Sequence, residues 1–313
     1  MGRQGGTVAA HEAARARSLW SLFTAGCVLA GCAVDGSGLP ALDEATASPD
    51  VPVPAASPAP DAPTESPRRI VSLDYCADQY VLGLADRDRI LALSPDAREA
   101  FSYLRHEAEG LSTVRQRIED VLALHPDLVV RSYGGGPRAT LFLQQAGVPV
   151  LALGFMQDID AVRATVRRAA ATFGVPERGE SLVTEMDAGL ERAKRRAQSV
   201  DADILYLSPA GVSAGPGTFV HELIETAGFD NFQRQPGWRS LPLERLAYET
   251  PERYAVGLFG RNRSHVDAWT PFRHPVATRR VAEGPMTPID GATVTCGGWY
   301  LVDAVEALVE SAG

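Results

Sequence analysis

Cysteine and histidine are the side chains best suited to nucleophilic or metal-binding work, and this 313-residue chain has four of one and six of the other. A zinc site needs such residues at short spacing. Cys76 and Cys296 have no companion histidines nearby, and His11, His106, His125, His221, His265 and His274 are scattered. His-Glu-x-x-His does not occur, so one common hydrolase signature is missing. The glycine runs Gly134–Gly136 and Gly211–Gly217 do not continue into Gly-Lys-Ser/Thr, which argues against a phosphate-binding loop. A formal charge of −9 and a pI near 5.2 argue against general nucleic-acid binding, which needs a basic face. These observations point to a binding protein without catalytic residues, resident metal or cofactor. A lipoprotein hydrolase and a sensor or docking module are the alternatives.

Cys32 is the exception, a cysteine with a defined chemical context. Arg15 and Arg17 precede an apolar run, Leu19 to Gly31, which ends in Leu29-Ala30-Gly31-Cys32. At about 1.5 Å per residue such a run spans roughly 20 Å, too short for a hydrocarbon core of about 30 Å. It suits the apolar region of a signal peptide, and its end resembles a lipobox, in which the cysteine sulfur accepts diacylglycerol. Residues 1–31 are therefore expected to be a lipoprotein signal peptide, with lipidation at Cys32 and export to the periplasm or extracytoplasmic space. Residues 32–67 follow with eight prolines, six acidic residues and no basic ones. That composition favours an extended tether over a packed core.

Beyond the tether, apolar runs alternate with helical patterns. Arg69-Ile70-Val71-Ser72-Leu73, Ile90 to Leu93, Leu128 to Val130 and Val148 to Leu153 read as strands, and residues 80–84 and 138–146 as helices. The same grammar returns after residue 200, with a strand at 203–208 and a helix at 218–227. Such alternation implies parallel α/β sheets. Glu119 lies seven residues before Pro126, and Glu244 seven before Pro251, each proline being followed by an acidic residue and a strand. The recurrence suggests two similarly built lobes, residues 68–155 and 200–313. Residues 156–199 between them show helical spacing at Ile159, Val162, Val166, Ala169 and Phe173, a Gly174-Val175-Pro176 break, then a second helix from Glu177 to about Gln198. The expected fold is two Rossmann-like lobes with parallel sheets, joined by a long backbone helix, with a cleft between them.

In this order of elements, residues 69–310 resemble the helical-backbone, class III substrate-binding proteins of ABC importers, the group that takes up vitamin B12, ferric siderophores and haem. The resemblance rests on the opening strand, on Glu119 with Leu124-His125-Pro126-Asp127-Leu128-Val129, on the strut helix and on Leu243-Glu244. It implies a ligand held by loops at the C-terminal ends of the strands, in line with the rule for open parallel sheets. The ligand-binding candidates are then Asp74, Tyr75, Cys76, Gln79, Tyr133, Arg138, Trp238, Arg261 and Trp299. The tryptophans would stack on a flat macrocycle or catecholate, and the arginines would pair with ligand carboxylates. The implied ligand is a metal chelate: a corrinoid, a ferric siderophore or haem. The implied partners are a permease dimer, engaged through Glu119 and Glu244, and its ATPase, with the membrane met only through the lipid anchor and the receptor itself a monomer. Cys76 and Cys296 depart from the pattern. Packing cysteines, cleft-lining thiols and a bridge are all open, the first two preferred because a bridge across a cleft needs Cα atoms within about 7 Å.

Overall fold

The computed structural model describes residues 66–197, 202–208, 210–259 and 273–312. The expected signal peptide, the lipidation site Cys32, nearly all of the tether, and Arg261 lie outside the described residues.

The N-terminal lobe is a parallel sheet of β1 (Ile70–Ser72), β2 (Ile90–Ala92), β3 (Leu128–Arg131) and β4 (Val150–Ala152), in the order β2-β1-β3-β4. Ile70, Val71, Val129 and Val130 are fully buried, as strands covered on both faces require. Three helices connect them: α1 (Tyr75–Leu84), α2 (Ile118–Leu122) and α3 (Ala139–Gln145). Asp127 accepts hydrogen bonds from the Arg68 and Arg69 amides at 2.7 and 2.9 Å, fixing the entry to β3 against the entry to β1. Arg69 in turn donates to the carbonyls of Leu124 (2.6 Å) and His125 (2.8 Å), just past the end of α2. The opening strand and the Leu-His-Pro-Asp segment are thus two sides of one joint.

Two helices follow, α4 (Ile159–Phe173) and α5 (Pro176–Arg196). Asp158 caps α4 through the Ala161 amide, Gly174 ends it at φ +73°, and Pro176 starts α5, where its missing N–H costs nothing. At about 1.5 Å per residue, α5 extends roughly 30 Å. Its buried face includes Val183, Met186, Leu190 and Ala193. Arg163–Asp187 and the bidentate Arg167–Glu180 pair clamp it to α4.

The C-terminal lobe has β5 (Asp203–Leu207), β7 (Asp230–Asn231), β9 (Arg253–Leu258) and β10 (Met286–Asp290), parallel, in the order β10-β9-β5-β7. Counted within its own lobe, each sheet runs second, first, third, fourth, so the lobes share one topology. The C-terminal lobe adds an antiparallel pair, β6 (Val212–Ala214) with β8 (Trp238–Ser240). Its helices are α6 (Phe219–Thr226), α7 (Leu243–Tyr248), α8 (Pro275–Glu283), α9 (Gly291–Val294) and α10 (Val302–Ala312). Among the described residues no helix is long and apolar enough to cross a membrane.

Two expectations are corrected here. The helix expected over residues 80–84 begins earlier, at Tyr75, because the Asp74 carboxylate caps α1 by accepting the Ala77 amide at 2.9 Å. Cys76 and Cys296 form a disulfide with Cα atoms 5.5 Å apart, within reach because a turn of α1 packs directly against the segment after α9. The bridge, the less favoured of the three alternatives, is the one formed.

Candidate functional site

The C-terminal ends of both sheets face a cleft of about 420 Å³ between the lobes. That volume is within the usual range for small-molecule sites. The N-terminal lobe contributes Tyr75, Cys76, Ser132, Tyr133, Phe155 and Met156. The C-terminal lobe contributes Tyr206, Ser208, Val212, Phe219, Trp238, Phe259 and the segment Val294 to Gly297. Aromatic rings therefore face the space from both sides, and no charged side chain is among the described residues lining it.

The N-terminal wall is built around one carboxylate. Asp74 is completely buried, and its Oδ2 accepts the backbone N–H groups of Ser132 (2.7 Å), Tyr133 (3.0 Å) and Gly134 (2.8 Å). With the Ala77 amide on Oδ1, four donors converge on it. The loop after β3 can approach this closely only because residue 134 is glycine, since a Cβ there would lie 2.3 Å from the Leu73 carbonyl oxygen. Asp74 thereby sets two rings at once: Tyr75 is the next residue, and Tyr133 is on the loop it holds. Their centroids are 5.9 Å apart, and Tyr75 also meets Phe101 edge-on at 4.7 Å. Loss of hydration, followed by the neighbouring Tyr75 and Asp74, pushes the Tyr133 phenol above its ordinary range. It stays protonated at neutral pH and can donate a hydrogen bond.

Asp78 stands one turn further along α1. It accepts the Ser94 amide at 3.0 Å and lies 2.6 Å from Ser94 Oγ. Burial raises its pKa from 3.8 to about 6, partly offset by the Ser72 and Ser94 hydrogen bonds.

The C-terminal wall is assembled differently. Trp238, on β8, meets Tyr206 and Phe219 edge-on at 6.3 and 5.9 Å. Gly291 lies against the Phe259 ring, where a Cβ would come within 2.5 Å of it.

The floor is where the lobes touch. Beside the disulfide, Tyr80 donates to the Gly297 carbonyl at 2.9 Å. Tyr103 stacks on Tyr300 at 4.2 Å and donates to Asp303 at 2.7 Å. Trp299 wedges against Gly83, where a Cβ would lie 2.3 Å from the indole.

The expected site residues divide accordingly. Tyr75, Cys76, Tyr133 and Trp238 line the cleft. Asp74 and Gln79 do not. Gln79 is 1% exposed and spends its amide on the Tyr75 carbonyl, Ser102 Oγ and the Leu104 amide. Trp299 packs lobe against lobe instead of facing a ligand. Arg138 is exposed at the start of α3, away from the lining. Phe155, Met156, Phe219 and Phe259 line the cleft without having been singled out by the sequence. The usable signal was position, because Phe259 directly follows β9, and Phe155 and Met156 lie three and four residues after β4. Glu119 and Glu244 are each the second residue of the helix entering the third strand of their lobe's parallel sheet, and both are exposed.

A family model described as periplasmic binding protein matches residues 70–256. Cobalamin-binding proteins of two Halobacterium salinarum strains are 27% identical over 174 residues, which is 53% of this chain and 46% of theirs. The match thus spans about half of each chain. Among solved structures, the apo form of the periplasmic heme-binding protein RhuT from Roseiflexus sp. RS-1 superposes with a TM-score of 0.62 at 22% identity, covering 79% of this chain and 99% of that one. The periplasmic vitamin B12-binding protein BtuF of Vibrio cholerae gives 0.59 at 18% identity, covering 79% and 97%. The likeness to these structures is one of fold: two parallel-sheet lobes and the helix between them. With more than half of its length matched by the family model, and with its lobes joined by α5, the chain belongs to the periplasmic binding protein family, in the helical-backbone class.

Proposed function

We propose that this protein is a lipid-anchored receptor of an ABC importer that captures a flat metal chelate of the corrinoid or haem kind and presents it to the permease. The observation that carries this reading is the inter-lobe cleft at the strand ends, with Tyr75, Tyr133 and Phe155 on one side and Phe219, Trp238 and Phe259 on the other. Opposed rings suit a planar macrocycle, which offers two extended apolar faces. The cobalamin- and heme-binding names of the similar proteins support the same class of ligand. Tyr133 and Ser208 supply hydroxyls at the edge of the space, and Arg261, outside the described residues, is a candidate partner for ligand carboxylates. Ferric siderophores are the second class to test.

Tryptophan-fluorescence titration with cyanocobalamin, haemin and a panel of ferric siderophores tests the reading. One of the macrocycles should quench the signal saturably, with Trp238→Phe removing most of the response. Saturable binding of neither macrocycle overturns it.

Anchoring rests on Leu29-Ala30-Gly31-Cys32 and the proline-rich stretch behind it. Cys32→Ser should move the protein out of the membrane fraction, and full retention there would rule the anchor out. Docking rests on Glu119 and Glu244, two exposed carboxylates in matching helices of the two lobes. A pair so placed would orient the receptor on a two-fold permease through basic pockets, giving steering more than raw affinity. Glu119→Ala with Glu244→Ala should lower uptake while leaving ligand affinity unchanged. Normal uptake by the double variant would sink the docking role.

A further inference from the structure

The Cys76–Cys296 disulfide is placed to do more than close a loop. Cys76 is in the first turn of α1, next to Tyr75, and Cys296 follows α9 in the other lobe. Both half-cystines line the cleft, so the bridge is a covalent piece of its floor. The non-covalent contacts beside it gather on the same edge. Gly297, Trp299, Tyr300 and Asp303 meet Tyr80, Gly83 and Tyr103 there. Across the mouth, among the described residues, the ring partners of Tyr133 and Trp238 all come from their own lobes. The lobes are thus joined along the floor, while these two rings pair within their own lobes.

In such an arrangement the spacing of the aromatic walls depends on whether the floor stays shut. A hydrogen bond or a ring stack opens and closes thermally, whereas a covalent bridge does not. We infer that the Cys76–Cys296 bridge is a positioning pair for the ligand cleft: it holds Tyr75 at a fixed distance from the C-terminal wall and keeps the site pre-formed. This rests on the reading of the cleft as the ligand site. A site formed only part of the time binds more weakly in proportion to that fraction, and rigidifying it contributes affinity without a new contact.

The test compares three forms of the full-length protein: oxidised, reduced with a phosphine reductant under native conditions, and Cys76→Ser/Cys296→Ser. Cyanocobalamin and haemin are the probes, and dissociation is followed by stopped flow well below each melting temperature. Loss of the bridge should speed ligand release about tenfold at unchanged stoichiometry, as expected if the closed floor is only fractionally populated without it. A purely structural staple predicts otherwise, namely a lower melting temperature with release from the folded protein unchanged. That result would overturn the inference. Should the double variant fail to fold, the reduced wild-type protein carries the same comparison.

If oxidised wild-type protein binds neither probe, the ligand reading fails, and the lock is then read without ligand. Amide exchange in residues 75–84 and 296–303 must rise together on reduction if the bridge holds the floor. Unchanged exchange in both segments would overturn the lock itself.

Discussion

In the N-terminal lobe the first strand passes to its helix through two residues, Leu73 and Asp74, whereas in the C-terminal lobe the same step, from Leu207 to Phe219, takes eleven. The short connection leaves no room for structure of its own, so a single buried carboxylate organises both it and the neighbouring loop after β3. The long one carries a strand, β6, which finds its partner in β8 and brings Trp238 to the cleft. One sheet order therefore supports two kinds of wall, one held by side chain to backbone and the other by a backbone ladder. Even the shared joint between first and third strands is made from opposite sides. Asp127, after Pro126, reaches the Arg68 and Arg69 amides, while Asp203, in β5, accepts the Glu252 amide after Pro251 at 2.8 Å. Topology is common to the lobes, and the chemistry that secures it is not.

The largest expected effect tests that contrast directly. Asp74→Ala leaves four backbone donors without their acceptor in a buried setting and should lower stability by about 3–5 kcal/mol in urea unfolding. Thr218→Ala is the matching change in the other lobe. It removes the α6 cap, in which Thr218 Oγ1 accepts the His221 amide at 3.2 Å, and should cost only about 1–2 kcal/mol. Equal losses would break the comparison.

A smaller effect comes from Asp78. Its folded pKa is raised, so the stability linked to its protonation is fully present below about pH 4 and is lost as pH rises through about 6. Asp78→Asn, neutral throughout, should therefore gain on wild type between pH 4 and 7 by on the order of 2 kcal/mol. Parallel melting-temperature profiles for the two proteins would show that the buried carboxyl is already compensated.

The smallest effect is expected at Glu119 and Glu244. Each is exposed in the first turn of a short helix, and alanine there should change stability by less than about 0.5 kcal/mol, equally in both lobes. A clear difference in melting temperature between the single variants would mean that the two positions are not equivalent.

The alternation of strands and helices, the Gly174-Val175-Pro176 break and the repeated glutamate-to-proline spacing were legible in the sequence, because each depends on residues within a turn or a strand of one another. Those local signals determined the two lobes, their parallel sheets and the connecting helices. The family resemblance, with the rule that ligands sit at strand ends, pointed to the cleft-lining Tyr75, Cys76, Tyr133 and Trp238. Which polar side chains turn inward was decided elsewhere. Asp74 meets amides 58 to 60 residues away, Gln79 reaches Ser102 and Leu104, and Trp299 finds a flat seat on Gly83. The disulfide joins positions 220 residues apart. No local pattern carries such distances, because they arise only when both lobes have folded and been packed edge to edge by α5. The sequence by itself determined what each lobe is, and the tertiary structure alone decided how their ends meet.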